Sequence, residues 1–236
     1  MDAVEVSDCD HATTRERRNP RRMSNNLHGG RLTIDRAEAT GCESIQILTK
    51  NSNQWRGRAL EEKDIAEFRA RATNLNLPVV SHASYLINLA APDKALRDKS
   101  VAALEDELAR GDQLGLEGVV LHPGAYTTST ESDGIKRIAE GIATAQASQA
   151  GSTLLLLEHT AGQGTMLGHR FEQLRAMLDL IDNTSHVAIC LDTCHLVAAG
   201  YDIISEDGYS NVFEEFDKIC LLYTSPSPRD ATLSRM

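Results

Sequence analysis

Apolar residues in this chain gather into short runs, separated by longer stretches in which they recur every three or four positions. The runs are Ser44–Leu48, Leu77–His82, Gly118–His122, Thr153–Glu158 and Val187–Leu191. All but the first are nearly continuous, which is how a strand buried on both faces reads. Between the runs lie helical patterns. Glu61–Ala72 sets Ile65, Phe68 and Ala72 on one face, and Asp93–Leu114 follows Pro92 with Asp93 as cap and Val101, Leu104 and Leu108 as inner stripe. Ile135–Ala150 is rich in alanine and stops at Gly151, and Leu167–Ile181 leads into the last run. A helical stretch from Arg31, holding Leu32, Ala37 and Ala39, ends at Gly41. Val212, Phe213 and Phe216 mark a last short helix, and Ile219–Tyr223 predicts the start of another strand. Alternating strands and helices predict an α/β fold, a parallel barrel of the TIM type, with about six of the eight repeats present.

The runs end on chemistry. Two finish in imidazoles, His82 and His122, and one in a carboxylate, Glu158. The fourth stops at Asp192, three residues before His195. Taken singly, each is a satisfied histidine or a helix-capping acid. Taken together, they converge, because all strands of a parallel barrel point their carboxyl ends at one mouth. Imidazoles and carboxylates without a thiolate cluster suit Zn²⁺ or a similar first-row metal. The five cysteines, Cys9, Cys42, Cys190, Cys194 and Cys220, include no C-x-x-C pair. Cys190 and Cys194 flank Asp192 and read as buried thiols, in keeping with a reducing, cytoplasmic setting.

A net charge of −10 and a pI near 5.3 argue against a protein that coats nucleic acid, but leave room for a DNA enzyme whose loops and bound cations attract phosphate. No run of eighteen apolar residues and no charged-then-apolar leader is present, so neither a membrane span nor a secretory signal is expected. Residues 1–30 are expected to be a disordered arm. Within them Thr13–Arg22 has no apolar period, and a solvated stretch is favoured over a nucleic-acid contact. The catalytic domain is expected over residues 31–222, and residues 223–236 read as a disordered tail foreign to it. The polar loop Thr49–Arg58 carries the sole tryptophan, Trp55, beside Lys50, Arg56 and Arg58. Such a ring suits stacking on a base with phosphate contacts around it, and equally suits packing back onto the barrel rim.

Four stretches resemble the endonuclease IV family, the metal-dependent apurinic/apyrimidinic endonucleases of base-excision repair. They are Ser84-Tyr-Leu-Ile-Asn-Leu89, Leu121-His-Pro-Gly124, Glu158-His-Thr-Ala-Gly-Gln-Gly164 and Leu191-Asp-Thr-Cys-His-Leu-Val-Ala-Ala-Gly-Tyr-Asp202. The resemblance runs from about Gly30 to Asp217 and implies a TIM barrel of the xylose-isomerase-like type, incomplete here at both ends, with up to three zinc ions. His82 and His122 would then bind one zinc, Glu158 would bridge it to a second held by Asp192, and His195 would bind a third. Glu158 is accordingly the implied catalytic centre. The implied activity is hydrolysis of the phosphodiester 5′ to an abasic deoxyribose in double-stranded DNA, by a monomer. Trp55, Tyr85 and Arg56 are the implied DNA-binding residues, holding the damaged nucleotide out of the stack. The chain departs from the pattern in four places. Arg15–Asn26 does not supply the family's first strand, Asn53 stands where arginine is frequent, and His159 replaces asparagine after Glu158. The segments that carry the remaining ligands after Asp217 have no counterpart, so fewer zinc ions are expected.

Two rival readings remain. Sugar isomerases and epimerases of related barrels also place Glu, Asp and His at strand ends, but lack the Gly-Gln-Gly loop and the Asp-Thr-Cys-His segment. The other rival is an inactive barrel fragment with open sheet edges, prone to aggregate.

Overall fold

The structure is a computed structural model that describes residues 4–5, 27–149 and 151–221. Its strands are β1 (Val4–Glu5), β2 (Ile45–Ile47), β3 (Val79–His82), β4 (Gly118–Leu121), β5 (Leu154–Glu158) and β6 (Val187–Leu191). They form one parallel sheet in the order β1-β6-β5-β4-β3-β2. Helices α1 (Leu27–Thr40), α2 (Glu62–Asn74), α3 (Lys94–Leu114), α4 (Glu131–Ala147) and α5 (Phe171–Asp179) connect the strands, followed by α6 (Thr193–Ala199) and α7 (Glu206–Phe216). This is the α/β barrel topology expected, and α1 begins four residues before Arg31. Of the arm, residues 1–3 and 6–26 fall outside the described residues, as does the tail from residue 222.

Alternate residues along the strands belong to two different cores. Val80, Val120, Leu156, Ala188 and Cys190 pack together in an inner cluster. Val119, Leu121, Leu155, Leu157, Val187, Ile189 and Leu191 face the helices and join Leu104 and Leu108 of α3, Ile138 and Ile142 of α4 and Phe171 and Leu174 of α5. Both faces being apolar, the strands show none of the alternation of a half-exposed sheet. Gly118 lies on the inner row of β4, and a Cβ there would meet Leu156 Cδ1 at 2.7 Å. The missing side chain lets Leu156 fill the centre.

Three element boundaries differ from expectation. Helix α4 starts one turn before Ile135, because Thr130 caps it by accepting the Asp133 amide at 3.2 Å. Helix α5 starts at Phe171 and not at Leu167, because the carbonyls of Leu167 and Gly168 bind Thr160 Oγ1 and its amide, which keeps them in the loop after β5. The strand expected from Ile219 is absent as far as Leu221; Asp217–Leu221 instead prolongs α7 as a π-helical turn. It buries Cys220, whose thiol lies 3.6 Å from the Phe171 carbonyl, while the edge of β6 is taken by β1. Among the described residues no helix is long and apolar enough to cross a membrane.

Candidate functional site

The inner row of the sheet supplies the site. Two residues beyond Val80, Val120, Leu156 and Cys190 stand His82, His122, Glu158 and Asp192, so the period of two that fills the barrel centre places these four on its mouth. Register staggers them by one inner position at two joints, with His82 beside Val120 and Glu158 beside Cys190, while Leu121 pairs with Leu157 and so brings His122 level with Glu158.

Glu158 is the hub, at 4% exposure. Its Oε2 lies 3.1 Å from His82 Nε2 and 2.8 Å from His122 Nε2, and its Oε1 lies 3.4 Å from His195 Nδ1. The rings of His82 and His122 are 5.0 Å apart, and those of His122 and His195 5.5 Å. Burial alone would raise the Glu158 carboxyl, but hydrogen bonds from His122, His195 and His82 outweigh it and hold the group well below the usual carboxylate range. Burial pulls His82 down, and the Glu158 bond and charge more than offset it, so the imidazole is raised. His195 is pushed up to about 9, first by its bond to Glu158. An unpaired carboxylate buried to this depth costs several kcal/mol, and here the compensation comes from imidazoles that can lose their protons.

Local backbone groups orient those imidazoles. His82 Nδ1 donates to the Ala83 carbonyl at 2.7 Å, which leaves Nε2 facing the cluster. His195 Nδ1 donates to the His159 carbonyl at 2.9 Å. Asp192 does serve as a cap, its Oδ1 accepting the His195 amide at 2.8 Å at the start of α6, and still takes its place beside Glu158. Two donor groups result: His82, His122 and Glu158, and Glu158, Asp192 and His195, with the ligand atoms of each group within 4.8 Å of one another. Three nitrogen or oxygen donors around one point fit a zinc-like cation, and Glu158 belongs to both groups. His195, assigned to a third ion by resemblance, shares its group with Asp192. Cys190, one rung below, keeps its proton, because burial and the Glu158 and Asp192 charges push the thiol up.

His159 turns away from the mouth. It is fully buried between the rings of Phe171 and Tyr201, at 5.5 and 5.3 Å, and burial lowers it to about 4. Its Nε2 donates to the His169 carbonyl at 3.1 Å.

The rim residues separate. Tyr85 is 60% exposed and its ring lies 4.8 Å from that of His82 and 5.7 Å from that of His122, over the first donor group. Trp55 is half-buried against the main core, and Arg56 is exposed with no ion-pair partner among the described residues. Lys50 does not face phosphate. It is 4% exposed and paired with Asp106 at 2.7 Å and Glu107 at 3.3 Å. Sequence reasoning missed Glu107, a buried acid on the inner stripe of α3 between Leu104 and Leu108; a charge on an apolar stripe was the available signal.

Residues 34–229 match the family described as xylose isomerase-like TIM barrel. A probable endonuclease 4 of Chloroflexus aurantiacus is 46% identical over 186 residues, covering 78% of this chain and 65% of that protein. The chain thus spans 65% of the length of this curated relative. The crystal structure of endonuclease IV from Thermus thermophilus superposes with a TM-score of 0.69 at 37% identity, covering 83% of this chain and 68% of that one. A crystal structure of a D-psicose 3-epimerase gives 0.59 at 18% identity, covering 80% and 64%, a likeness of fold alone.

Proposed function

The chain belongs to the endonuclease IV family of xylose isomerase-like TIM barrels, and on that premise we propose that it is a zinc-dependent AP endonuclease, hydrolysing the DNA phosphodiester 5′ to an abasic site in base-excision repair. The observation that carries this reading is the meeting of two donor groups on one buried carboxylate, Glu158, beneath an exposed tyrosine. His82 and His122 would hold one ion with Glu158, and Asp192 and His195 would hold another with the same carboxylate. At such a site divalent cations supply activation of water at neutral pH and neutralisation of phosphate charge.

The chain's own groups do the rest. The raised imidazoles of His82 and His195 balance the negative charge of Glu158 and would give up their protons to a bound cation. The Ala83 carbonyl fixes Nε2 as the nitrogen that His82 presents, and the His159 carbonyl anchors the His195 ring. Tyr85, kept as a neutral phenol by burial and by the Glu158 and Asp192 charges, offers its ring and hydroxyl to the unpaired sugar. Arg56 is free to meet backbone phosphate, and Trp55 braces the loop behind it. A monomeric, cytoplasmic protein accords with this reading.

A duplex oligonucleotide bearing one abasic site tests it. Cleavage in the presence of zinc should leave a 3′-hydroxyl that a polymerase extends. The second reading, a sugar epimerase, draws on the fold likeness alone, whereas 46% identity over 186 residues favours the nuclease. Turnover of a ketose panel with the DNA left intact would reverse the choice.

A further inference from the structure

The buried charges beside the rim form one construction. Glu107 is 1% exposed, and its carboxylate bonds and ion pair with Lys50 run to loops beside the mouth. Its Oε2 accepts from Thr49 Oγ1 at 2.9 Å, and its Oε1 from the Ser84 amide at 3.1 Å. Lys50 Nζ lies 3.3 Å from the same Oε1 and donates to the Trp55 carbonyl at 3.3 Å. Arg110, one turn along α3 and 6% exposed, donates to the carbonyls of Thr49 at 2.7 Å and Arg58 at 2.8 Å. Both ends of the Thr49–Arg58 loop and the backbone of Trp55 are therefore pinned to α3. A further bond, Ser84 Oγ to the Ser52 carbonyl at 2.7 Å, joins that loop to the one carrying Tyr85.

Burying three full charges costs several kcal/mol unless each is hydrogen-bonded, and apolar side chains would hold a helix to a sheet as well. What charges do better is fix backbone carbonyls and amides of irregular loops in one arrangement. We propose that Glu107, with Lys50 and Arg110, is a positioning residue for DNA binding, holding the loops that carry Trp55, Arg56 and Tyr85 as one preformed surface. The inference rests on the proposed function and goes beyond it, because none of the three touches the metal groups. A loop ordered beforehand need not be ordered on contact, so the cost of losing the tether appears in affinity.

Trp55 is the sole tryptophan, and its emission reports this loop directly. In Glu107→Gln, with far-UV circular dichroism and bound zinc at wild-type levels, Trp55 emission should shift to the red and acrylamide should quench it more strongly. The Kd for a duplex with a tetrahydrofuran abasic analogue should rise by about tenfold, the loss expected for hydrogen bonds to a charged group. Thr49→Val removes the hydroxyl between Glu107 and Arg110 without stranding a charge, and serves if Glu107→Gln fails to fold. Unchanged Trp55 fluorescence, or a loosened loop with unchanged Kd, overturns the positioning role while the function stands. A wild-type chain that binds no abasic duplex removes the proposed function, and the positioning role with it.

Discussion

Glu158 and Glu107 are both all but excluded from water, at 4% and 1% exposure, and each has three separate polar groups against it. The groups differ. Around Glu158 they are three imidazoles, groups that exchange a proton for a metal near neutral pH. Around Glu107 they are a hydroxyl, a backbone amide and an ammonium, all of them spent on holding loops. One carboxylate is thus set in an exchangeable shell at the barrel mouth, the other in a permanent shell beside it. Burial of an acid by itself does not mark a site. The chemistry of its neighbours does.

The sharpest way to break this comparison is Glu158→Gln. It removes the charge shared by both donor groups, and zinc content should collapse while cleavage of an abasic duplex falls by about a thousandfold. Retention of zinc, measured by mass spectrometry after dialysis, would mean that the imidazoles bind it unaided. Tyr85→Ala comes next. It should weaken binding of the abasic duplex by about tenfold, as for loss of a stacked ring, and leave bound zinc untouched; a drop in zinc would place the tyrosine in the metal shell.

The exchangeable shell also predicts a pH effect in the metal-free protein. His195 is raised from 6.5 to about 9, so its pairing with Glu158 stabilises the fold fully below pH 6.5 and is lost as pH rises through about 9. The Tm of the zinc-free chain should fall across that window, and His195→Ala should flatten the slope; an equal slope in both would refute the pairing. The smallest effect is expected from Asp93→Ala. It removes the cap that accepts the Leu96 amide at 2.7 Å, costing about 1 kcal/mol of stability by urea unfolding. Trp55 emission should not move, because the tether depends on Glu107 and Arg110 and not on the first turn of α3.

Much of this was readable along the chain. The five apolar runs became strands at the expected places, and the last four end on or just before His82, His122, Glu158 and Asp192, because parallel strands sharing one direction bring their ends together. Asp93 was read correctly as a cap. Helix starts were read less well. Leu167 continues an apolar period into α5, yet its carbonyl is claimed by Thr160, a partner the local pattern does not reveal.

The sequence by itself therefore determined the order of elements and the residues at the strand ends, since periodicity and turn residues act within a few positions of themselves. Tertiary structure alone decided that Lys50 is an internal tie and not a phosphate contact, that His195 reaches Glu158, and that the segment after Phe216 stays helical. Each of those depends on what packs alongside: Glu107 meets Thr49 across 58 positions of chain and His195 meets the His159 carbonyl across 36. A charged side chain is solvated or buried according to neighbours that folding brings to it, and no local pattern carries that information.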